Sequence, residues 1–159
     1  MTKRITLTVN GEIRTLMVEP NEILLDVLRS RLGIKSPKIG CERGDCGACT
    51  ILLDGKTVRS CLILAVETDK CEITTVEGLC KDGLTPLQRA FVEDNSFQCG
   101  FCAPGVVLAA TELLAKNPRP TEEEIKQAIS GNLCRCTGYQ PIVDAVLRVS
   151  RETGKSTGK

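Results

Sequence analysis

Cysteine is the residue type in this 159-residue sequence with the means to do chemistry: there are ten cysteines and no histidine. Without an imidazole the chain cannot build a Ser-His-Asp triad, a Cys-His pair or a zinc site with a nitrogen ligand. Thiolates bind soft metals, and so many cysteines in a reducing compartment point to metal ligation ahead of a disulfide framework. Eight of the ten fall into two groups. Cys41-x4-Cys46-x2-Cys49 is followed by Cys61, and Cys99-x2-Cys102 is separated by 31 residues from Cys134-x-Cys136.

The leading triplet of the first group has plant-type [2Fe–2S] spacing. A loop that wraps such a cluster must turn sharply and bring its backbone close to the inorganic sulfurs. Gly40, Gly44 and Gly47 permit positive φ and close approach at those points. Four thiolates, two sulfides and two ferric ions carry about −2, and amide N–H groups of a glycine-rich loop stabilise that charge. Arg43 is expected to add to this. Zinc sites pair their ligands as C-x2-C with a second close pair, which the first group does not follow. In the second group the C-x2-C pair leaves zinc open. Cys134 and Cys136, only two positions apart, sit poorly on tetrahedral zinc and favour iron–sulfur.

The elements that must position these thiols change character along the chain. Ile5, Leu7 and Val9 alternate with Thr6, Thr8 and Asn10, the period of a half-buried strand. Asn10-Gly11 signals a hairpin with a return strand over Ile13–Val18. Ile23, Leu24, Val27, Leu28 and Leu32 recur at helical spacing up to Gly33. Thr50–Leu53, Asp54-Gly55 and Lys56–Val58 read as a second hairpin, and Ile73–Val76 as a last strand. From Thr85 onward the pattern is helical. Thr85-Pro86, Pro104, the Thr121/Glu124 capping box and Pro141 each open a helix, with stops at Asn117-Pro118 and Gly131. The reading is an α+β chain: a β-grasp sheet unit over residues 1–80 and a four-helix bundle over residues 81–159. Metal ligation at the loop-to-helix junctions would tie the small bundle together. The tail from Glu152 to Lys159 reads as disordered.

Composition excludes several functions. Lys plus Arg total 21 against 20 acidic residues, a formal net charge of +1, with four aromatics and no tryptophan. That is no footprint for nucleic acid. The longest apolar runs, such as Gly105–Ala110, fall far short of a membrane span. The start, Met1-Thr2-Lys3-Arg4, shows neither a signal-peptide apolar region nor a twin-arginine motif, so a cytoplasmic location is expected. Gly154-Lys155-Ser156 echoes a phosphate loop, yet Val149 stands where a glycine is required.

Three segments carry a family likeness. Gly40-Cys41-Glu42-Arg43-Gly44-Asp45-Cys46-Gly47-Ala48-Cys49-Thr50 resembles the first cluster loop of the iron–sulfur subunit of molybdenum hydroxylases. That is the family of xanthine dehydrogenase, aldehyde oxidoreductase and carbon monoxide dehydrogenase. Gln98-Cys99-Gly100-Phe101-Cys102-Ala103-Pro104-Gly105 and Gly131-Asn132-Leu133-Cys134-Arg135-Cys136-Thr137-Gly138-Tyr139 are similar to its second cluster motifs. The likeness runs from Ile5 to about Val149. It implies a plant-type ferredoxin-like domain and a four-helix domain, each holding one [2Fe–2S] cluster. It also implies a molybdopterin-binding large subunit and an FAD-binding medium subunit in a hetero-oligomer, with a dimer of heterotrimers as one form. By this likeness the cluster on Cys99, Cys102, Cys134 and Cys136 lies nearest the molybdenum cofactor, and the one on Cys41, Cys46, Cys49 and Cys61 lies towards the flavin. Gln98 matches a glutamine that hydrogen-bonds the pterin, and Cys136 a ligand that approaches its amino group. Ala103 stands where threonine is common and Ser36-Pro37 where many relatives have a glycine; neither touches a ligand.

Both readings converge on one-electron transfer, with bond-making chemistry left to a cofactor on another chain. Two alternatives remain at this point: a free-standing two-cluster ferredoxin-type carrier, and a zinc-stabilised interaction module. Cys71 and Cys80 lie outside both groups and read as ordinary half-buried residues ahead of a redox switch.

Overall fold

The computed structural model describes residues 1–153, an α+β arrangement of one mixed sheet and six helices. In β1 (Lys3–Val9), Ile5, Leu7 and Val9 are buried and alternate with more exposed threonines. Asn10 and Gly11 take φ of +52° and +81°, the left-handed pair that returns β2 (Glu12–Val18) antiparallel to β1. The chain then enters α1 (Leu24–Asp26), which continues as a π-helical turn over Val27–Arg31. There the Leu32 amide donates to the Val27 carbonyl at 3.0 Å.

Asp54 and Gly55, both at positive φ, turn β3 (Thr50–Leu53) into β4 (Lys56–Arg59). Finally β5 (Glu72–Thr74) slots in parallel to β1 and antiparallel to β3. The strand order is β2-β1-β5-β3-β4. Leu24, Val27 and Leu28 press onto Ile5, Leu7, Ile51 and Ile73 to form one buried core.

The last strand is shorter than the sequence suggests. It ends at Thr74, and Val76 opens α2 (Val76–Leu79), a helix the apolar pattern does not announce. The cause is local. The Asn10 side chain accepts from the Thr75 amide at 2.8 Å, taking the donor a further ladder step would use, and donates to the Thr75 hydroxyl at 2.9 Å. On α2, the Glu77 carboxylate accepts from the amides of Ser36 (2.9 Å) and Lys35 (3.2 Å) and from the Thr75 hydroxyl (2.6 Å). Burial works against its charge, but the Ser36 and Thr75 donors outweigh that and hold its pKa below the ordinary carboxylate value. Glu77 thereby ties down the segment that leads into the first cysteine loop.

The four expected helices follow as α3 (Pro86–Glu93), α4 (Ala103–Lys116), α5 (Glu122–Ile129) and α6 (Gln140–Thr153). Reciprocal caps start two of them: Thr85 with Gln88, and Thr121 with Glu124. Leu87, Phe91, Val106, Ile125, Ile142 and Val146 fill a second core. Helix α4 packs on α3 and α5 and also on β3 and β4, so it joins the two halves. Its Val106, Val107 and Leu108 are buried within the chain and are core; Leu113 and Leu114 are half-buried against the same core. Glu152 and Thr153 continue α6, against the expected start of a disordered tail, whose remainder, 154–159, lies outside the described residues. Among the described residues no helix is long and apolar enough to cross a membrane.

Candidate metal centres

The first four thiols come from a loop and a turn. Cys41, Cys46 and Cys49 lie between the π-helical turn and β3, and Cys61 lies in a 3-10 turn (Ser60–Leu62) directly after β4. Hairpin β3–β4 thus returns the chain to the loop. Glu42, Gly44 and Gly47 take positive φ, and the curl aims amides at sulfur: Cys46 N lies 3.4 Å from Cys41 Sγ and Ala48 N 3.5 Å from Cys46 Sγ. Gly40 serves differently. Its φ is not positive, but a Cβ there would stand 2.8 Å from Cys46 Sγ.

Electrostatics follows from that geometry. The amides of Cys46 and Arg43 pull the Cys41 pKa down to about 6. Burial, then the neighbouring Cys49, pushes Cys61 up to about 11. Arg43 departs from expectation in one respect. Its guanidinium pairs with exposed Asp45 at 2.5 Å, and its contribution to Cys41 is a backbone amide.

The second four thiols sit at two loop-to-helix junctions. Cys99 and Cys102 precede α4, with Cys102 at its N-cap, while Cys134 and Cys136 lie in the loop before α6. Cys99 Sγ and Cys136 Sγ are 3.6 Å apart at the exposed edge. Cys102 is buried, and burial, then its neighbour Cys134, drives its pKa up to about 12. Burial also opposes ionisation of Cys134, but the Thr137 hydroxyl and the amides of Cys136 and Thr137 outweigh it and lower its pKa. Gln98 Nε2 donates to the Cys136 carbonyl at 2.9 Å, so Gln98, Cys99 and Cys136 share one exposed rim.

The donor set suits two-iron clusters. Each group offers four thiols, amides that favour thiolate, and buried members that give up a proton to a metal more readily than to water. Among the described residues, no three cysteine, histidine or carboxylate side chains converge as a single metal ion requires. A two-iron cluster divides its four thiolates between two metals and needs no such point of convergence. Cys71 and Cys80 stand apart. Burial, then Asp54, raises the Cys71 pKa, which works against a thiolate there, while Cys80 Sγ donates to Val76 O at 3.4 Å and receives Gln88 Nε2 at 3.0 Å.

The sequence reading missed how the two centres are joined. Leu133 N donates to Cys46 O at 2.9 Å, a backbone link from the residue before Cys134 to a first-group cysteine. Beside it, buried Asn132 donates its side-chain amide to Gly47 O and Thr50 Oγ1, both at 3.1 Å. Arg59 bonds Thr50 Oγ1 at 2.8 Å and Gly131 O at 2.6 Å. Gly47 and Gly105 let the backbones meet, since a Cβ on Gly105 would lie 2.5 Å from Gly47 O. Gly47 and Asn132 both lie in quoted motifs, yet no periodicity pairs residues so far apart in sequence.

Two family models match the chain. A family model described as a 2Fe-2S iron-sulfur cluster binding domain matches residues 7–78, and one described as a [2Fe-2S] binding domain matches 75–147. The chain is 53% identical to the nicotine 6-hydroxylase small subunit of Paenarthrobacter nicotinovorans over 97% of its own length and 93% of that protein. It is 51% identical to the nicotinate dehydrogenase small FeS subunit of Eubacterium barkeri, covering 89% and 91% of the two. Among solved structures, a chain of quinoline 2-oxidoreductase from Pseudomonas putida 86 superposes with a TM-score of 0.92 at 46% identity, covering 99% of this chain and 98% of that one.

Proposed function

The chain belongs to the family of iron–sulfur small subunits of molybdenum hydroxylases, and on that premise we propose how its residues serve electron transfer within an oxidoreductase complex. Cys41, Cys46, Cys49 and Cys61 hold one [2Fe–2S] cluster, and Cys99, Cys102, Cys134 and Cys136 hold the other. When bound, the clusters supply one-electron redox chemistry for a relay between a molybdopterin site and FAD on partner subunits. Residues 1–80 form the ferredoxin-like β-grasp domain and 81–159 the four-helix domain. The partners are a molybdopterin-binding large subunit and an FAD-binding medium subunit, and the complex resides in the cytoplasm. Catalysis belongs to the partners; the free-standing carrier is not favoured, since the relatives are subunits of larger enzymes.

The observation that carries this reading is the pairing of two thiol quartets across one buried junction. The Cys46 carbonyl and Leu133 amide join the two loops directly, and the Asn132 and Arg59 contacts fix their separation. Gln98 and Cys136, together on the exposed rim, are the residues of this chain that would meet the pterin. The test is turnover of the whole complex with Cys102→Ala in this chain, alongside its iron content. Loss of acceptor reduction with retention of the first cluster is expected. Normal acceptor reduction after loss of that cluster would overturn the relay.

A further inference from the structure

We propose that Thr137 tunes the reduction potential of the cluster on Cys99, Cys102, Cys134 and Cys136 by donating its hydroxyl proton to the Cys134 sulfur. This rests on the ligand set proposed above. Thr137 Oγ1 stands 3.1 Å from Cys134 Sγ. A ligating thiolate carries no proton, so in the loaded protein the hydroxyl is the donor.

The surroundings fix that direction further. Tyr139 N donates to Thr137 Oγ1 at 3.1 Å, which occupies an oxygen lone pair and leaves the hydroxyl proton free to turn to sulfur. Tyr139 reaches this position through φ of +70°, following Gly138 at +65°. A left-handed tyrosine is uncommon and costs backbone energy. Its phenol oxygen folds back to accept the Cys134 amide at 2.8 Å. Tyr139 thus holds both ends of the contact: its amide orients the Thr137 hydroxyl, and its phenol anchors the ligand residue. In the first quartet, by contrast, the short contacts to Cys41 and Cys46 sulfur come from backbone amides.

Reduction adds an electron, and part of that charge resides on the ligating sulfurs. A hydrogen bond donated to sulfur stabilises the reduced form more than the oxidised form and raises the potential. Thr137 is a positioning residue here, acting through Cys134 and touching no substrate.

The experiment is a potentiometric titration of the loaded complex followed by EPR, comparing wild type with Thr137→Val and Thr137→Ser. The two signals are assigned with a Cys49→Ala variant that retains only the second cluster. Thr137→Val removes the hydroxyl at nearly constant volume. It should move the second cluster to a more negative potential and leave the first in place, and Thr137→Ser should return the second towards wild type. An unshifted second cluster in iron-replete Thr137→Val overturns the proposal, as does an equal shift of both clusters. Thr137→Ala substitutes, with the same expectation, should the valine variant load poorly. Iron and sulfide assays on the same samples keep the two levels apart: a wild-type chain without two cluster signals refutes the ligand set itself.

Discussion

Cys49→Ala should leave a chain with about two irons where the wild type holds about four, and should erase one EPR signal while sparing the other. Cys49 is buried beside Cys61 and Leu25, at the point where the cysteine loop enters β3. Removing its sulfur leaves one iron of the first cluster with one protein thiolate in place of two. The position is closed to solvent, so water is poorly placed to substitute. The second quartet draws its support from a separate helical core built on α3 to α6, and for that reason it should load independently. Iron analysis and EPR of the purified variant check both parts. Unchanged iron would remove Cys49 from the ligand set, and loss of both signals would show that the two centres assemble only together.

Gly47→Ala should be among the most damaging single-atom additions the chain can receive, because it strikes the junction between the centres. Gly47 has φ of +74°, and a Cβ there would lie 2.3 Å from Gly131 O and 2.9 Å from Asn132 Cα. Both are backbone atoms and cannot swing away. The left-handed conformation costs about 1–2 kcal/mol for a residue with a Cβ, and overpacking against backbone adds about 1–3 kcal/mol. Gly55→Ala isolates the first cost, since Gly55 has φ of +78° with nothing within 4 Å of the added Cβ. Denaturant unfolding of the two variants should therefore separate them, with Gly47→Ala the less stable. Hydrogen exchange at the Leu133 amide, which donates to Cys46 O, should quicken only in Gly47→Ala. Equal stability of the two variants would mean the junction yields easily and does not hold the centres at a fixed separation.

How far the sequence discloses such features depends on the range of the interaction behind them. Both hairpins are legible because Asn10-Gly11 and Asp54-Gly55 encode their turns in two adjacent residues, and all four take positive φ. The capped helices α3 and α5 are legible for the same reason, as Thr85 and Pro86 are adjacent and Thr121 and Glu124 lie three apart. Helix α2 escapes because its start depends on Asn10, 65 residues away, capturing Thr75. The cysteine groups announce themselves through spacing, but Arg43 misleads: a cation beside the loop suggests charge compensation, and the nearer Asp45 takes it. Gly40 is correctly marked as special for a partly different reason, close approach of Cys46 Sγ without a left-handed backbone. Asn132 and Arg59 carry no local signal of their role, since their partners Gly47 and Gly131 lie 85 and 72 residues off. Thr137 sits in a motif that marks it as part of a ligand loop, yet only the fold shows its hydroxyl turned to Cys134.

Everything proposed for this chain stands on two clusters bound by eight thiolates. The most direct test is iron, zinc and acid-labile sulfide content of the anaerobically purified native protein, with EPR after dithionite reduction. About four irons and four sulfides per chain, little zinc and two distinguishable signals are expected. Zinc in place of iron at either quartet would contradict the relay there and leave a structural metal site instead.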